Sequence, residues 1–341
     1  MKNKGFTLIE LVLVLVILAI VTNVAMVHML DTVKSKKHEQ AEKELKAITE
    51  AVVGTELGAA ESFVGTMGRL PYALSVVLEG KDSATDRTAY AATELVAQGM
   101  LPAYKQIALA DKVASERSSL SPAYDNEMDS LVRLGVGWRG PYIKSVAANA
   151  TESGVLFDAW GNVMSAPDAA LLNGRIVDVN SNAVVSAGVE VGGMVHFGAD
   201  ARPDNFVAPK NVAERDGAAM FNAYADLPVE FELQSASGAA VPVDALTGGG
   251  LFVARIYLPY IEDNVAKIKI VEQDPATTPV SNCIQFDFSK IPVGTYPLVV
   301  KYKPTGRVWY QTIELTPLPN GQSTYQTYRL KITIPSTLIT Q

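Results

Sequence analysis

Cysteine is nearly absent: Cys283 stands alone, so no intramolecular disulfide can form and the loop-closing device common in small secreted domains is excluded. Histidine is almost as scarce. His28 falls in an apolar run and His38 in a charged stretch, which leaves only His196 in the body of the chain. No H-E-x-x-H, G-x-S-x-G or phosphate-loop pattern occurs. This scarcity argues against histidine-based catalysis; a membrane-anchored enzyme built on paired carboxylates, such as a glycan hydrolase, stays an alternative. Positive charge is in deficit, with 29 Lys and Arg against 36 Asp and Glu, so a net charge of -7 offers no general attraction to nucleic acid or to anionic membrane surfaces. What is abundant is apolar residues, 48% of 341, with 19% charged, the composition of folded protein with a sizeable core.

Charge is wholly missing from 11–30, where only Asn23 and His28 are strongly polar. As a helix these roughly 20 residues reach about 30 Å, the thickness of a hydrocarbon core. Lys2 and Lys4 precede the run and Lys34, Lys36 and Lys37 follow it. The short basic leader on the cytoplasmic side leaves the large remainder outside, although the rear lysines weigh against that orientation. No A-x-A site follows the run around 22–25, which separates it from an ordinary secretory signal and leaves an uncleaved signal anchor as the simple alternative.

The residues in front of the run are Gly5-Phe6-Thr7-Leu8-Ile9-Glu10. This pattern resembles the processing site of the type IV pilin and pseudopilin family, with its class III signal peptide. The resemblance implies that a prepilin peptidase removes 1–5 by cutting after Gly5, and that the same enzyme methylates the new amine of Phe6. A glycine before the scissile bond suits a peptidase that must approach the backbone closely. Glu10 is the odd residue physically, because an ionised carboxylate in an apolar helix costs about 2.5–3.5 kcal/mol on insertion scales. In the family such a glutamate meets the N-terminal amine of a neighbouring subunit, so the resemblance gives Phe6 and Glu10 the assembly role. Snorkelling to the interface is the alternative for Glu10.

Beyond the apolar run, 31–54 is rich in Lys, Glu and Ala and lacks proline. Ala41, Leu45, Ile48 and Val52 draw an apolar stripe, and Glu39 with Lys43 and Glu42 with Lys46 form i,i+4 pairs in the favourable order. One helix over 6–53 is the expectation. Many pilins carry a proline in the apolar half; this chain has none there, and Thr22-Asn23 is the weak point where the helix could open.

A loop is expected over 65–71, then helices over 89–97 and 106–116 forming an insertion. Gly135-Val136-Gly137-Trp138-Arg139-Gly140-Pro141-Tyr142, Phe157-Asp158-Ala159-Trp160-Gly161-Asn162 and His196-Phe197-Gly198-Ala199-Asp200 resemble, in order, signatures of the major pseudopilin of type II secretion. The resemblance implies a calcium loop for which Asp200, Asp204 and Asp216 are the available hard ligands; solvated aspartates capping turns are the alternative. Asp158 reads as a turn-closing residue. From about Leu227 strand-like runs alternate with turn residues, most clearly over 251–258, 267–272, 284–288, 296–303, 308–315 and 327–334, which suggests a β-sandwich, and the stretch 292–301 resembles the penultimate strands of immunoglobulin-like surface domains, which implies an immunoglobulin-like one.

The expected fold is therefore α+β: leader 1–5, long helix 6–54, pilin-like head 55–220 and β-sandwich 221–341. The expected role is that of a non-enzymatic subunit of a pilus-like filament. The expected partners are copies of itself or related pilins, the prepilin peptidase and an inner-membrane assembly platform. The precursor would sit in the inner membrane as a single pass, and the filament in the periplasm or at the cell surface. A pseudopilin of type II secretion and a minor pilin with an adhesive β domain are the alternatives.

Overall fold

The computed structural model describes residues 8–55, 57–71, 76–77, 101–143, 177–178, 191–195, 218–242, 249–262, 265–275, 283–318 and 324–334. The first element is one helix, α1 (Leu8–Val53). It runs without a break through Thr22-Asn23, where the Thr22 hydroxyl donates to the Leu18 carbonyl at 2.7 Å and so satisfies itself inside the helix. Its end falls where the sequence turns to glycine. Gly54 takes φ +91° and donates its N–H to the Glu50 carbonyl at 2.8 Å, and a Cβ there would lie 2.6 Å from the Ala59 Cα.

The chain then enters α2 (Phe63–Met67), a helical turn with every residue buried. This corrects the loop expected over 65–71, of which Gly65, Thr66 and Met67 are helical. Ser62 caps α2 by accepting from the Gly65 N–H at 3.0 Å, and the Thr66 hydroxyl bonds back to the Ser62 carbonyl at 3.1 Å. Gly65 suits the position because a Cβ would stand 2.1 Å from the Ala59 carbonyl oxygen. Gly68, at φ +72°, ends the turn.

The helix expected over 106–116 is also corrected. Its first residues belong to β1 (Lys105–Ala108), which pairs antiparallel with β2 (Arg133–Val136), followed by a 3-10 turn over Leu109–Asp111 and the short α3 (Ala114–Ser118). Pairing Ile107 with Leu134 and burying Leu109 overrides local helix preference. The helix expected over 89–97 lies outside the described residues. Next comes α4 (Asn126–Asp129), capped by Asp125, whose Oδ1 accepts from the Glu127 and Met128 N–H groups.

Three strands, β3 (Val177–Asp178), β4 (Val191–Val195) and β5 (Ala218–Asn222), form an antiparallel sheet in the order β3-β4-β5, and β5 lies alongside α1. The remaining strands are β6 (Tyr224–Ser235), β7 (Phe252–Glu262), β8 (Val265–Gln273), β9 (Cys283–Pro292), β10 (Gly294–Tyr302), β11 (Arg307–Leu315) and β12 (Tyr328–Ile334). They build two sheets, ordered β11-β10-β7-β8 and β12-β6-β9. Counted from β6, the first strand pairs with the seventh, in parallel, and with the fourth. In an immunoglobulin sandwich the first strand pairs with the second, so this strand order differs from the expected one.

Alternation explains the second sheet: Ala225, Leu227, Val229, Phe231 and Leu233 of β6 are buried, whereas Glu230 and Glu232 face outward to Arg329 and Lys331. In β7 the residues from Phe252 to Leu258 are all buried, as expected of a strand covered on both faces. One core runs from Ile48, Val52 and Val53 of α1 through Phe63 and Met67 to Phe286, Leu298 and Ile332.

Candidate functional site

The helix α1 lives in two solvents. Its first part, Leu8–Lys37, contains an 18-residue window of mean hydropathy 2.7 in which no residue is buried within the chain. Leu8 is 82% exposed and Ile9 76%, while Ile48, Val52 and Val53 near the other end are almost completely buried. A helix of this length and polarity meets the requirement for crossing a bilayer, at 1.5 Å per residue. The core-facing half of the expected stripe is confirmed at Ile48 and Val52; the side chains of Ala41 and Leu45 lie outside the described ones.

Glu10 sits in the first turn of α1, where a carboxylate is favoured by the partial positive charge of the helix start. It is exposed, on the same length of helix as the apolar residues. Gly5 and Phe6 lie outside the described residues, as do Asp200, Asp204 and Asp216 and the motifs at 157–162 and 196–200. Among the described residues no group of three His, Cys, Asp or Glu side chains is placed to hold a metal. Between the membrane-type stretch and the body, the Lys43 ammonium meets Glu39 at 2.6 Å and lowers its carboxyl pKa, and Lys46 lies 3.9 Å from Glu50. Glu42, expected to pair with Lys46, has no described side chain.

In the body, charged side chains clasp α4 to the sheet. Asp129 of α4 and Arg255 of β7 form an ion pair in which the Arg255 Nη1 donates to both carboxylate oxygens, at 2.9 and 3.0 Å, with the carboxylate fully buried. The Tyr257 hydroxyl donates to the same carboxylate at 2.6 Å, and Arg255 also reaches Glu272 and the Ala123 carbonyl. Burial, then the Asp129 charge, pushes the Tyr257 phenol far above its ordinary range. Burial alone would lower the Arg255 pKa, but the carboxylates of Asp129 and Glu272 outweigh it and raise it. Beside them Lys301 meets Asp125 at 2.5 Å and Glu127 at 3.2 Å. Sequence reasoning missed this cluster. It joins residues near Asp129 to residues near Arg255, which stand 126 positions apart with no spacing signal.

The Gly135–Tyr142 motif, expected as a turn cluster, starts within β2 and then turns. Gly137 takes φ +115°, and a Cβ there would lie 2.7 Å from the Ala103 carbonyl oxygen. The Trp138 indole donates to the Val76 carbonyl at 3.2 Å, and the Tyr142 hydroxyl lies 2.6 Å from the Thr66 hydroxyl. The motif therefore ties the β1-β2 hairpin to α2.

An apolar helix near the N-terminus, long enough to cross a membrane and buried at its far end in a β-rich body, is consistent with a membrane-anchored precursor. Residues 1–22 match the family model of the prokaryotic N-terminal methylation motif, the class III signal peptide of type IV pilins. No curated protein and no solved structure matches the chain. The motif supports a type IV pilin-like or pseudopilin reading of the N-terminus, and the match extends over residues 1–22 alone.

Proposed function

We propose that this chain is a structural, non-enzymatic subunit of a pilus-like filament, held in the inner membrane as a precursor and assembled through α1. One observation carries the reading: no residue of the apolar window within Leu8–Lys37 is buried in its own chain, while Ile48, Val52 and Val53 of the same helix are buried in the core. About 30 Å of exposed apolar helix is stable only in lipid or against other apolar helices. Lipid covers the precursor, and the α1 helices of neighbouring copies cover the assembled subunit. The lie of β5 along α1 supports a pilin-like head.

In this reading the peptidase releases 1–5, and Glu10 of one copy meets the methylated amine of Phe6 on the next. Neutralisation of two charges inside the bundle sets the axial step. Calcium held by Asp200, Asp204 and Asp216 belongs to the same proposal, as does display of the filament in the periplasm or at the cell surface.

The test uses Glu10→Ala and Glu10→Gln in cells. Both precursors insert and are cleaved normally, because removing a charge makes the helix more apolar, yet the ratio of subunit in sheared filaments to subunit in membranes falls at least about tenfold. An unchanged ratio in both variants reduces Glu10 to an interfacial residue. Absence of the wild-type chain from any filament removes the proposal itself.

A further inference from the structure

Positive charge returns to α1 where its apolar run ends. Residues 11–30 carry no charge, and directly after them Lys34, Lys36 and Lys37 stand against the single carboxylate of Asp31. Lys34 and Lys36 are exposed and Lys37 is half-buried. The ion pairs of the helix lie further on, Lys43 with Glu39 and Lys46 with Glu50, and among the described residues none holds Lys34, Lys36 or Lys37. Lys36 acts on Glu39 only as the smallest of the influences on that carboxyl. A local excess of positive charge is therefore open to a partner outside the chain, although the chain as a whole is acidic.

The height of these lysines along α1 points to the partner. At 1.5 Å per residue they lie about 20–25 Å from the middle of the charge-free run. A hydrocarbon core centred on that run ends at about 15 Å, and its headgroup layer at about 20–22 Å. Lys34 is thus level with the headgroup phosphates, and the aliphatic stems of Lys36 and Lys37 let their ammonium groups reach back to the same layer. Among the described residues of α1 the first to be buried in the core is Ile48, about 16 Å beyond Lys37. The body leaves the stretch open to the membrane surface.

Their spread around α1 points the same way. At about 100° per residue, Lys34, Lys37 and Lys36 cover about 160° of the helix circumference. A carboxylate on one neighbouring helix faces a narrow sector, whereas headgroups surround a spanning helix on all sides.

We propose that Lys34, Lys36 and Lys37 form a collar that binds the phosphodiester groups of anionic phospholipids where α1 leaves the bilayer. Each lysine near the surface adds to the attraction, and an ammonium group donates three hydrogen bonds without demanding a fixed fork geometry. The collar fixes the depth of α1. Sliding outward pulls the ammonium groups off the phosphates, and sliding inward drives them into hydrocarbon. The inference rests on the reading of α1 as a membrane-spanning helix, and it holds whether or not the subunit goes on to a filament.

The experiment reconstitutes the full chain into phosphatidylcholine nanodiscs carrying a trace of spin-labelled phosphatidylglycerol or of spin-labelled phosphatidylcholine. Electron spin resonance reads the share of each label immobilised against the protein. At low salt the anionic label is expected to be preferred about fivefold or more, and the preference to collapse in about 0.5 M salt. The variant Lys34→Gln with Lys36→Gln and Lys37→Gln lowers the preference at least about threefold, leaving the share of Lys2 and Lys4 at the opposite surface. Lys43→Gln with Lys46→Gln removes charge of the same sign beyond the headgroup layer and leaves the preference unchanged. Equal immobilisation of both labels by the wild type, an unchanged preference in the collar variant, or an equal fall in the Lys43 and Lys46 variant overturns the proposal. A collar variant that keeps its lipid preference but is lost from sheared filaments assigns the lysines to a contact between copies, and overturns it too. Failure of the wild-type chain to enter the nanodiscs at all removes the spanning reading and the collar with it.

Discussion

Asp129 and Arg255 stand 126 positions apart, yet their side chains meet at 2.9 and 3.0 Å with neither more than 6% exposed. Removing one partner strands a buried charge, which costs about 3–5 kcal/mol. Arg255→Ala and Asp129→Ala therefore lower the melting temperature of the full chain in detergent by on the order of 10 °C. The double variant Asp129→Ala with Arg255→Ala loses less than the sum of the two. Additive losses show that the pair does not hold the body together.

The same cluster makes stability fall on the alkaline side. Tyr257 is pushed above its ordinary value of 10.0, by burial first and then by Asp129. Lys301 is raised above 10.5 because its bonds to Asp125 and Glu127 outweigh burial. A folded pKa above the unfolded one gives stability that is complete below the unfolded value and lost as pH rises through the folded value. Urea melts of the wild type should hold steady from pH 7 to about pH 9 and weaken above about pH 10. The advantage of wild type over Tyr257→Phe should shrink over the same range. Asp125 acts on the other flank: its pKa is lowered below 3.8 by Lys301 and by backbone N–H bonds that outweigh burial, so its contribution disappears as pH falls through that lowered value.

Processing is checked by mass analysis of the N-terminus in membranes and filaments. The expected result is a mature chain that begins at Phe6 and carries one methyl group on its amine. A terminus at Met1 in assembled material, or a cut beyond Ala25, contradicts the assignment of Gly5 as the cleavage residue.

Calcium at Asp200, Asp204 and Asp216 is tested by chelation. The full chain, shown by metal analysis to be loaded, is expected to melt at lower temperature after chelation and to recover with calcium but not with magnesium, which demands near-octahedral geometry and gives up water reluctantly. No shift in loaded protein assigns these aspartates to solvated turns.

The sequence by itself determined whatever depends on neighbours along the chain. Absence of charge over 11–30 makes that stretch apolar, continuity without proline keeps α1 whole, and Gly54 ends it one residue after Val53. Alternation and turn residues foretold strands now seen at Phe252–Glu262, Val265–Gln273, Cys283–Pro292, Gly294–Tyr302, Arg307–Leu315 and Tyr328–Ile334. The methylation motif was legible for the same reason, since a peptidase reads contiguous residues. Tertiary structure alone decided the rest. Gln106, Ile107 and Ala108 form a strand because Arg133–Val136 lies opposite to receive their hydrogen bonds, a partner no local window contains. The parallel match of Tyr328 to Val229 and the grip of Asp129 on Arg255 arise from segments about a hundred or more residues apart. Local preference selects helix or strand residue by residue, whereas the partner of a strand or a buried charge is chosen only when the whole chain closes around one core.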